Sequence, residues 1–312
     1  MKLLLTGAAR FNDEQKKHLE DLGHELFFLQ YEKDVPPLKY DEIDGVIGNG
    51  LFLHHNIEEF TKLKYIQLTS AGYDRVPLDY IKRKGIIIHN AYGVYSIPMA
   101  EFAIASVLTI YKETRFFRDN QQKHVWEKHR GLIDLYGKKV CIVGCGNVGT
   151  ECAKRFSAFG CSVIGVDIYT NQSPYYEEIY SVNDLDKVIG QMDIVIITVP
   201  FTENTKYLFN KELLNLLMDY SILINIARGG IVDTDALMEV LKEKDIYAVL
   251  DVFEEEPLSL EHPLWDMRNV FLTPHNSFVS DHNTDRLYEL TIKNLKTWSK
   301  NNESKNSVDS GK

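Results

Sequence analysis

Val140-Cys-Ile-Val-Gly-Cys-Gly-Asn-Val-Gly149 is the stretch that decides the fold. An apolar strand runs straight into Gly144-x-Gly146-x-x-Gly149, and a helical pattern, Thr150-Glu-Cys-Ala-Lys-Arg-Phe-Ser-Ala-Phe159, follows without interruption. A glycine triplet alone is a weak signal, but one caught between a strand and a helix is the context a dinucleotide-binding βαβ unit requires. Gly144 permits the tight turn, Gly146 lets backbone approach a pyrophosphate, and Gly149 allows helix to pack closely on strand. The amides of Asn147 and Val148 would then face phosphate oxygens at the helix start.

The next apolar run, Ser162-Val-Ile-Gly-Val-Asp167, ends in an acid 23 residues beyond Gly144. A carboxylate there can accept from both adenosine ribose hydroxyls and repel a 2′-phosphate. Ile168 and Tyr169 follow with no arginine, so the pattern favours NAD over NADP. A methyltransferase on a similar sheet also has a glycine-rich first turn and an acid after its second strand, and would bind S-adenosylmethionine.

Working outward, apolar runs at 139–143, 162–166, 194–199, 222–226, 248–250 and 270–272 predict six strands separated mostly by helix-length segments. Upstream, runs at 3–5, 45–47, 65–68 and 86–88 alternate with helical patterns such as Asn12 to Leu22. The rhythm predicts an α/β chain: two Rossmann-like or flavodoxin-like parallel-sheet domains with an interdomain cleft. From Pro98 to about Arg118 the chain is apolar nearly all round before turning charged, as a helix buried between domains should be. The predicted division is a substrate domain of residues 1–97 plus 279–300, a cofactor domain of 98–278, and a polar tail, 301–312, expected to be disordered. The closing helix is expected from Asp281 to about Trp298, and so little chain follows it that no appended regulatory domain is expected.

With 312 residues and 44% apolar content the chain can fill two cores. Its formal charge of −10 gives no global basic field to attract nucleic acid or anionic lipid, so an anionic substrate would need a local cation. No stretch approaches the roughly 20 apolar residues of a membrane span, and the opening Met1-Lys-Leu-Leu-Leu-Thr6 reads as a buried strand, too short for a signal segment. Cys141, Cys145, Cys152 and Cys161 fall in one βαβ segment without metal-ligand spacing, which predicts a reduced, cytoplasmic protein. Cys145 reads as a small filler exposed on the turn. His54, His55, His124 and His129 have no carboxylate or cysteine partner at ligand spacing and read as surface histidines, so no metal is expected.

Three later stretches deliver an arginine, a glutamate and a histidine: Asn225-Ile-Ala-Arg-Gly-Gly230, Leu250-Asp-Val-Phe-Glu-Glu-Glu-Pro257 and Leu272-Thr-Pro-His-Asn276. A guanidinium can bind the carboxylate of a 2-keto acid while polarising its carbonyl. An imidazole has the proton affinity to serve the carbonyl oxygen near neutral pH, and a carboxylate on its far nitrogen would fix the tautomer and stabilise the imidazolium. Read singly, Arg228 could be a helix-entry salt bridge, Glu256 one acid of a solvated run, and His275 a packed loop histidine. Their order beside a nucleotide site argues for the joint reading.

With Val199-Pro-Phe-Thr-Glu-Asn-Thr205, Thr69-Ser-Ala-Gly-Tyr-Asp74 and the Pro-Met-Ala-Glu helix start, these motifs resemble the D-isomer-specific 2-hydroxyacid dehydrogenase family over nearly the whole chain. The resemblance implies an NAD-dependent enzyme that reduces a small 2-keto acid to the D-2-hydroxy acid, and the reverse. It assigns catalysis to Arg228, Glu256 and His275, with Glu254 and Glu255 as adjacent decoys. It assigns the substrate carboxylate to the turn at Ala71, Gly72 and Tyr73, and cofactor contacts to Pro200, Thr205, Ala227 and Asp251 as well as the fingerprint. Asp251 would meet the nicotinamide carboxamide, unless it is a plain strand-end cap. The likeness and the apolar helix suggest a homodimer formed through the cofactor domains. Corepressors related to the family leave an NAD-sensing binding protein as a rival. Asn276-Ser-Phe-Val-Ser280 departs from the small-residue run usual after the histidine, and Asn49 and Leu68 stand where members acting on phosphoglycerate carry basic residues.

Overall fold

The computed structural model describes residues 1–170 and 173–301. In chain order the first elements are β1 (Lys2–Thr6), α1 (Asp13–Asp21), β2 (Glu25–Leu29), β3 (Gly45–Gly48), β4 (Tyr65–Leu68), α2 (Leu78–Lys84) and β5 (Ile87–His89). Next come α3 (Ser96–Tyr111), α4 (Thr114–Gln122), β6 (Lys139–Val143), α5 (Asn147–Ala158), β7 (Ser162–Asp167), β8 (Glu178–Ser181), α6 (Leu185–Ile189) and β9 (Ile194–Ile197). The chain closes with α7 (Lys211–Leu214), β10 (Ile222–Asn225), α8 (Thr234–Glu243), β11 (Tyr247–Leu250), β12 (Val270–Leu272) and α9 (Asn283–Asn301). It divides into two compact units, Met1–Tyr95 with the segment from Ser280 onward, and Ser96–Val279.

The first unit holds a five-stranded parallel sheet in the order β2-β1-β3-β4-β5. Leu4, Val46, Ile66 and Ile88 bury one face, and Leu3, Leu5, Ile47 and Tyr65 the other. The second face is covered from both ends of the sequence. Leu19 of α1 packs there with Leu287, Ile292 and Leu295 of α9. Polar ties help fix α9, among them Asn294 Nδ2 donating to the fully buried Gln67 Oε1 at 2.9 Å and Gln15 Nε2 donating to Asp285 Oδ1 at 3.1 Å. Helix α1 begins in a capping box in which Asn12 Oδ1 accepts from Gln15 N and Gln15 Oε1 accepts from Asn12 N.

The second unit is a doubly wound sheet of seven parallel strands, β12-β11-β10-β9-β6-β7-β8. Chain direction through the sheet reverses between β6 and β9, which makes their carboxyl ends the switch point where such folds bind ligands. On one side Cys152, Ala153 and Phe156 of α5 pack with Ala100, Ala103 and Val107 of α3; on the other Leu237, Val240 and Leu241 of α8 join Leu213 and Leu214 of α7.

Several sequence expectations need correction. The sheets gain two edge strands beyond those expected: β2, on the run Leu26-Phe-Phe-Leu29, and β8, which has no continuous apolar run. The long helix read from Pro98 to Arg118 is two helices: Glu113 takes φ 48°, breaking the backbone just after the apolar run ends at Tyr111. The closing helix extends to Asn301, and the polar tail falls from residue 302 outside the described residues. His55 is half-buried and bonded rather than a surface histidine: its Nδ1 lies 2.9 Å from Tyr40 Oη and its Nε2 2.8 Å from the Glu32 carbonyl. Cys145 is half-buried too, and burial pushes its thiol up to about 12. Among the described residues, no helix is long and apolar enough to cross a membrane, and no three His, Cys, Asp or Glu cluster as a metal site.

Candidate active site

The glycine turn is built by close approach. A Cβ at Gly149 would stand 2.0 Å from the Gly144 carbonyl oxygen, so only glycine lets α5 start this near β6. Gly144 itself has φ 103° and packs on the end of β9, where a Cβ would meet Val199 N at 2.7 Å. Thr198, which the sequence did not single out, ties the two strand ends together by donating from Oγ1 to the Gly144 carbonyl at 2.6 Å. Gly146 caps α5 and faces open space, as a backbone cradle for phosphate must. Asp167, at the end of β7, accepts from Cys145 N at 2.6 Å and from Tyr169 N at 3.0 Å, so its carboxylate is anchored beside the turn. These features fit a dinucleotide.

After β9, Thr205 folds back on its own loop, donating to the Pro200 carbonyl at 2.7 Å while accepting from Thr202 N at 2.8 Å. It shapes the loop between Pro200 and Thr205 from within.

Strands β10, β11 and β12 are neighbours, with Asn225, Leu250 and Leu272 in register. Arg228, Asp251 and His275 therefore follow the carboxyl ends of three adjacent strands by three, one and three residues. The Arg228 loop is set by buried Asn225, another residue the sequence reading left without a role: its Nδ2 donates to the Arg228 carbonyl and its Oδ1 accepts from Ala227 N. Arg228 is half-buried, and its Nη1 donates to the Ala227 carbonyl at 2.8 Å. Gly229 passes so near the next loop that a Cβ would stand 1.9 Å from the Phe253 carbonyl carbon.

Glu256 is held at both oxygens: Oε1 accepts from Phe253 N at 3.1 Å, and Oε2 accepts from His275 Nδ1 at 2.8 Å. Glu254, by contrast, turns to Tyr207 and the Thr234 amide. His275 takes φ 50°, a backbone state costly for a non-glycine residue. The restraint comes from Asp251, which is fully buried. Its Oδ1 accepts from Thr273 Oγ1 at 2.6 Å and Asn276 N at 2.7 Å, its Oδ2 from Ser277 N at 3.0 Å, and its carbonyl from His275 N at 2.7 Å. These bonds make Asp251 a cap on the end of β11. Phe278 sets its ring edge-on to the His275 imidazole, 5.8 Å between centroids.

In the first unit, the turn after β4 is shaped by Ser70 Oγ donating to the Gly72 carbonyl and Asn90 Nδ2 donating to the Ala71 carbonyl at 2.6 Å. Ala71 is exposed, and Gly72 and Tyr73 are half-buried. Burial pushes the Tyr73 phenol up to about 12.

A glycine cradle at a switch point, a carboxylate–imidazole pair and an arginine thus all follow the carboxyl ends of strands in one parallel sheet. Residues 104–277 match the family described as "D-isomer specific 2-hydroxyacid dehydrogenase, NAD binding domain". The D-3-phosphoglycerate dehydrogenase of Methanocaldococcus jannaschii is 32% identical over 280 residues, 88% of this chain but only 53% of that protein. The glyoxylate reductase of Pyrococcus horikoshii is 35% identical over 282 residues, 85% of this chain and 83% of the relative. The crystal structure of a D-isomer specific 2-hydroxyacid dehydrogenase family protein from Aeromonas salmonicida superposes with a TM-score of 0.88 at 25% identity over 98% of both chains. The chain belongs to the D-isomer specific 2-hydroxyacid dehydrogenase family, and is an NAD-binding oxidoreductase.

Proposed function

We propose that the protein reduces a small 2-keto acid to the D-2-hydroxy acid with NADH, and catalyses the reverse. The observation that carries this reading is the 2.8 Å contact between His275 Nδ1 and Glu256 Oε2. With Nδ1 donating to the carboxylate, Nε2 is the nitrogen left to hand a proton to the carbonyl oxygen in reduction and to take it back in oxidation. Glu256 fixes that tautomer and stabilises the imidazolium. Arg228, permanently charged, binds the substrate carboxylate and polarises the carbonyl. The amides at Ala71, Gly72 and Tyr73 contribute to carboxylate binding.

NADH supplies the hydride. The residues that would hold it are Gly144, Gly146, Asn147, Val148 and Gly149 at the phosphates, Asp167 at the adenosine ribose, and the Pro200–Thr205 loop with Ala227 towards the nicotinamide. Residues 1–97 with 279–300 serve as the substrate domain in this reading, and 98–278 as the cofactor domain. The protein is read as a homodimer through the cofactor domains, which native mass measurement tests. Four free thiols fit a reducing compartment such as the cytoplasm.

The test is NADH oxidation by the purified protein over a panel of 2-keto acids, with His275→Ala alongside. The reading expects turnover on at least one acid and a loss of about a thousandfold or more in the variant. NADH binding without turnover on any acid would overturn it.

A further inference from the structure

We infer that Glu32 is a specificity-determining residue, whose carboxylate fills an anion nest at Asn49 and Gly50 and so excludes 2-keto acids that carry a second anionic group. The inference rests on the proposed keto-acid reductase reading and narrows its substrate class.

Two successive backbone amides after β3 converge on one carboxylate. Glu32 Oε1 accepts from Asn49 N at 2.6 Å and Oε2 accepts from Gly50 N at 2.7 Å, while Thr6 Oγ1 donates to Oε1 at 2.8 Å. Converging amides of this kind bind phosphate or carboxylate when they are free. Here the chain supplies the anion itself. The seat is built for it: a Cβ at Gly48 would stand 2.6 Å from Glu32 Oε1, so glycine there and glutamate at 32 belong together. From behind, His55 Nε2 donates to the Glu32 carbonyl at 2.8 Å and its other nitrogen lies 2.9 Å from Tyr40 Oη, which fixes the segment carrying the acid.

The placement gives the nest a bearing on substrate. Thr6 ends β1, Gly48 ends β3 and Leu68 ends β4, and Thr69 N donates to the Gly48 carbonyl at 2.8 Å. The Asn49–Gly50 loop and the Ala71–Tyr73 turn thus leave side by side from the carboxyl edge of one parallel sheet, the edge at which such sheets bind ligands. An acid whose reactive carboxylate sits on the turn would meet a fixed negative charge at the adjacent loop. The Asn49 side chain adds a buried Oδ1 with no hydrogen-bond partner among the described residues, another acceptor on this loop. The cations on this edge that could oppose the effect are exposed Arg10, after β1, and exposed Arg75, just beyond the Ala71–Tyr73 turn.

The test uses the full-length protein and two acids of equal chain length, 2-ketovalerate and 2-ketoglutarate, with 3-phosphohydroxypyruvate as a third probe. Wild type should favour 2-ketovalerate in kcat/KM by about a hundredfold, since an uncompensated like charge costs several kcal/mol. Glu32→Ala, which frees both amides, should lower that ratio by about tenfold or more, and the size-conserving Glu32→Gln should lower it in the same direction. A general loosening of the fold would depress both acids together and leave the ratio alone. Wild type that handles 2-ketoglutarate as well as 2-ketovalerate, or a ratio that neither variant moves, overturns the inference while leaving the reductase reading intact.

A second readout does not depend on turnover. At constant ionic strength and with the cofactor site saturated by NADH, inorganic phosphate should raise the Tm of Glu32→Ala progressively and leave wild type unmoved. Equal phosphate responses in wild type and both variants would overturn the closed nest even if no keto acid proved to be a substrate.

Discussion

Asp251 lies fully buried beneath the loop that carries His275, and accepts the amides of Asn276 and Ser277 with its two carboxylate oxygens. One carboxylate thus organises a loop whose histidine is paired with another, Glu256. The two acids do different work: the buried one sets the backbone, the half-exposed one meets the imidazole.

Asp251→Asn keeps the shape but turns one acceptor into a donor facing a donor. Leaving a buried amide or hydroxyl unpaired should cost about 2–4 kcal/mol, read by urea unfolding. Because the role is loop-setting, kcat should fall about tenfold or more while the NADH Kd, read by fluorescence, moves less than about threefold. A large loss of NADH affinity with kcat preserved would point instead to a direct nicotinamide contact.

Gly229 joins the arginine loop to the glutamate loop. Since a Cβ there would stand 1.9 Å from the Phe253 carbonyl carbon, Gly229→Ala must push the two backbones apart. Backbone overlap has no rotamer to escape through, so about 2–4 kcal/mol of stability and a hundredfold of kcat/KM should be lost together. A variant as active and stable as wild type would mean that the loops part freely.

Where the sequence was readable, local physics and the fold agreed. The β6–α5–β7 unit could be read because an apolar run, spaced glycines and a strand-end acid are all local signals. The stretches carrying Arg228, Asp251 and His275 could be read as neighbours because consecutive βα units place their strands side by side. Edge strand β8 could not: Glu178–Ser181 has no continuous apolar run, and an edge strand need not show one, whereas β2 does carry a local signal in Leu26-Phe-Phe-Leu29. Asn225, Asn90, Thr198 and Glu32 escaped for another reason. Each acts on backbone amides or carbonyls, which leave no residue-type signature in the sequence, and the partners of Asn90, Thr198 and Glu32 lie many positions away. Only the fold puts Glu32 against Asn49.

The cysteines should be poor nucleophiles. Burial pushes the Cys141, Cys145 and Cys152 thiols up to about 12 and Cys161 up to about 11. A raised pKa keeps the thiol protonated through the neutral range, so the reactive thiolate appears only as pH approaches those values. Iodoacetamide at pH near 8 should label Cys161 about a hundredfold and the other three about a thousandfold more slowly than a free thiol, with urea restoring the ordinary rate. Cys145 Sγ is seated where a Cβ at Gly165 would come within 2.4 Å of it, and rapid native labelling of Cys145, read by peptide mass, would contradict that seat.

Asp167 carries a sharper test, because its carboxylate has two separable jobs. It staples the glycine turn through Cys145 N, and in the proposed reading it places a negative charge where an adenosine 2′-substituent would lie. Asp167→Asn removes the charge but retains an oxygen that can accept the Cys145 amide; Asp167→Ala removes both. If charge governs cofactor choice, both variants should raise the NADPH-to-NADH ratio of kcat/KM by about tenfold or more, since a phosphate no longer meets a like charge. If the staple matters to the turn, only Asp167→Ala should also lose Tm and affinity for both cofactors. A ratio unchanged in both, with Tm lost in the alanine variant alone, would make Asp167 a turn staple and move the discrimination between cofactors elsewhere in the loop that follows β7.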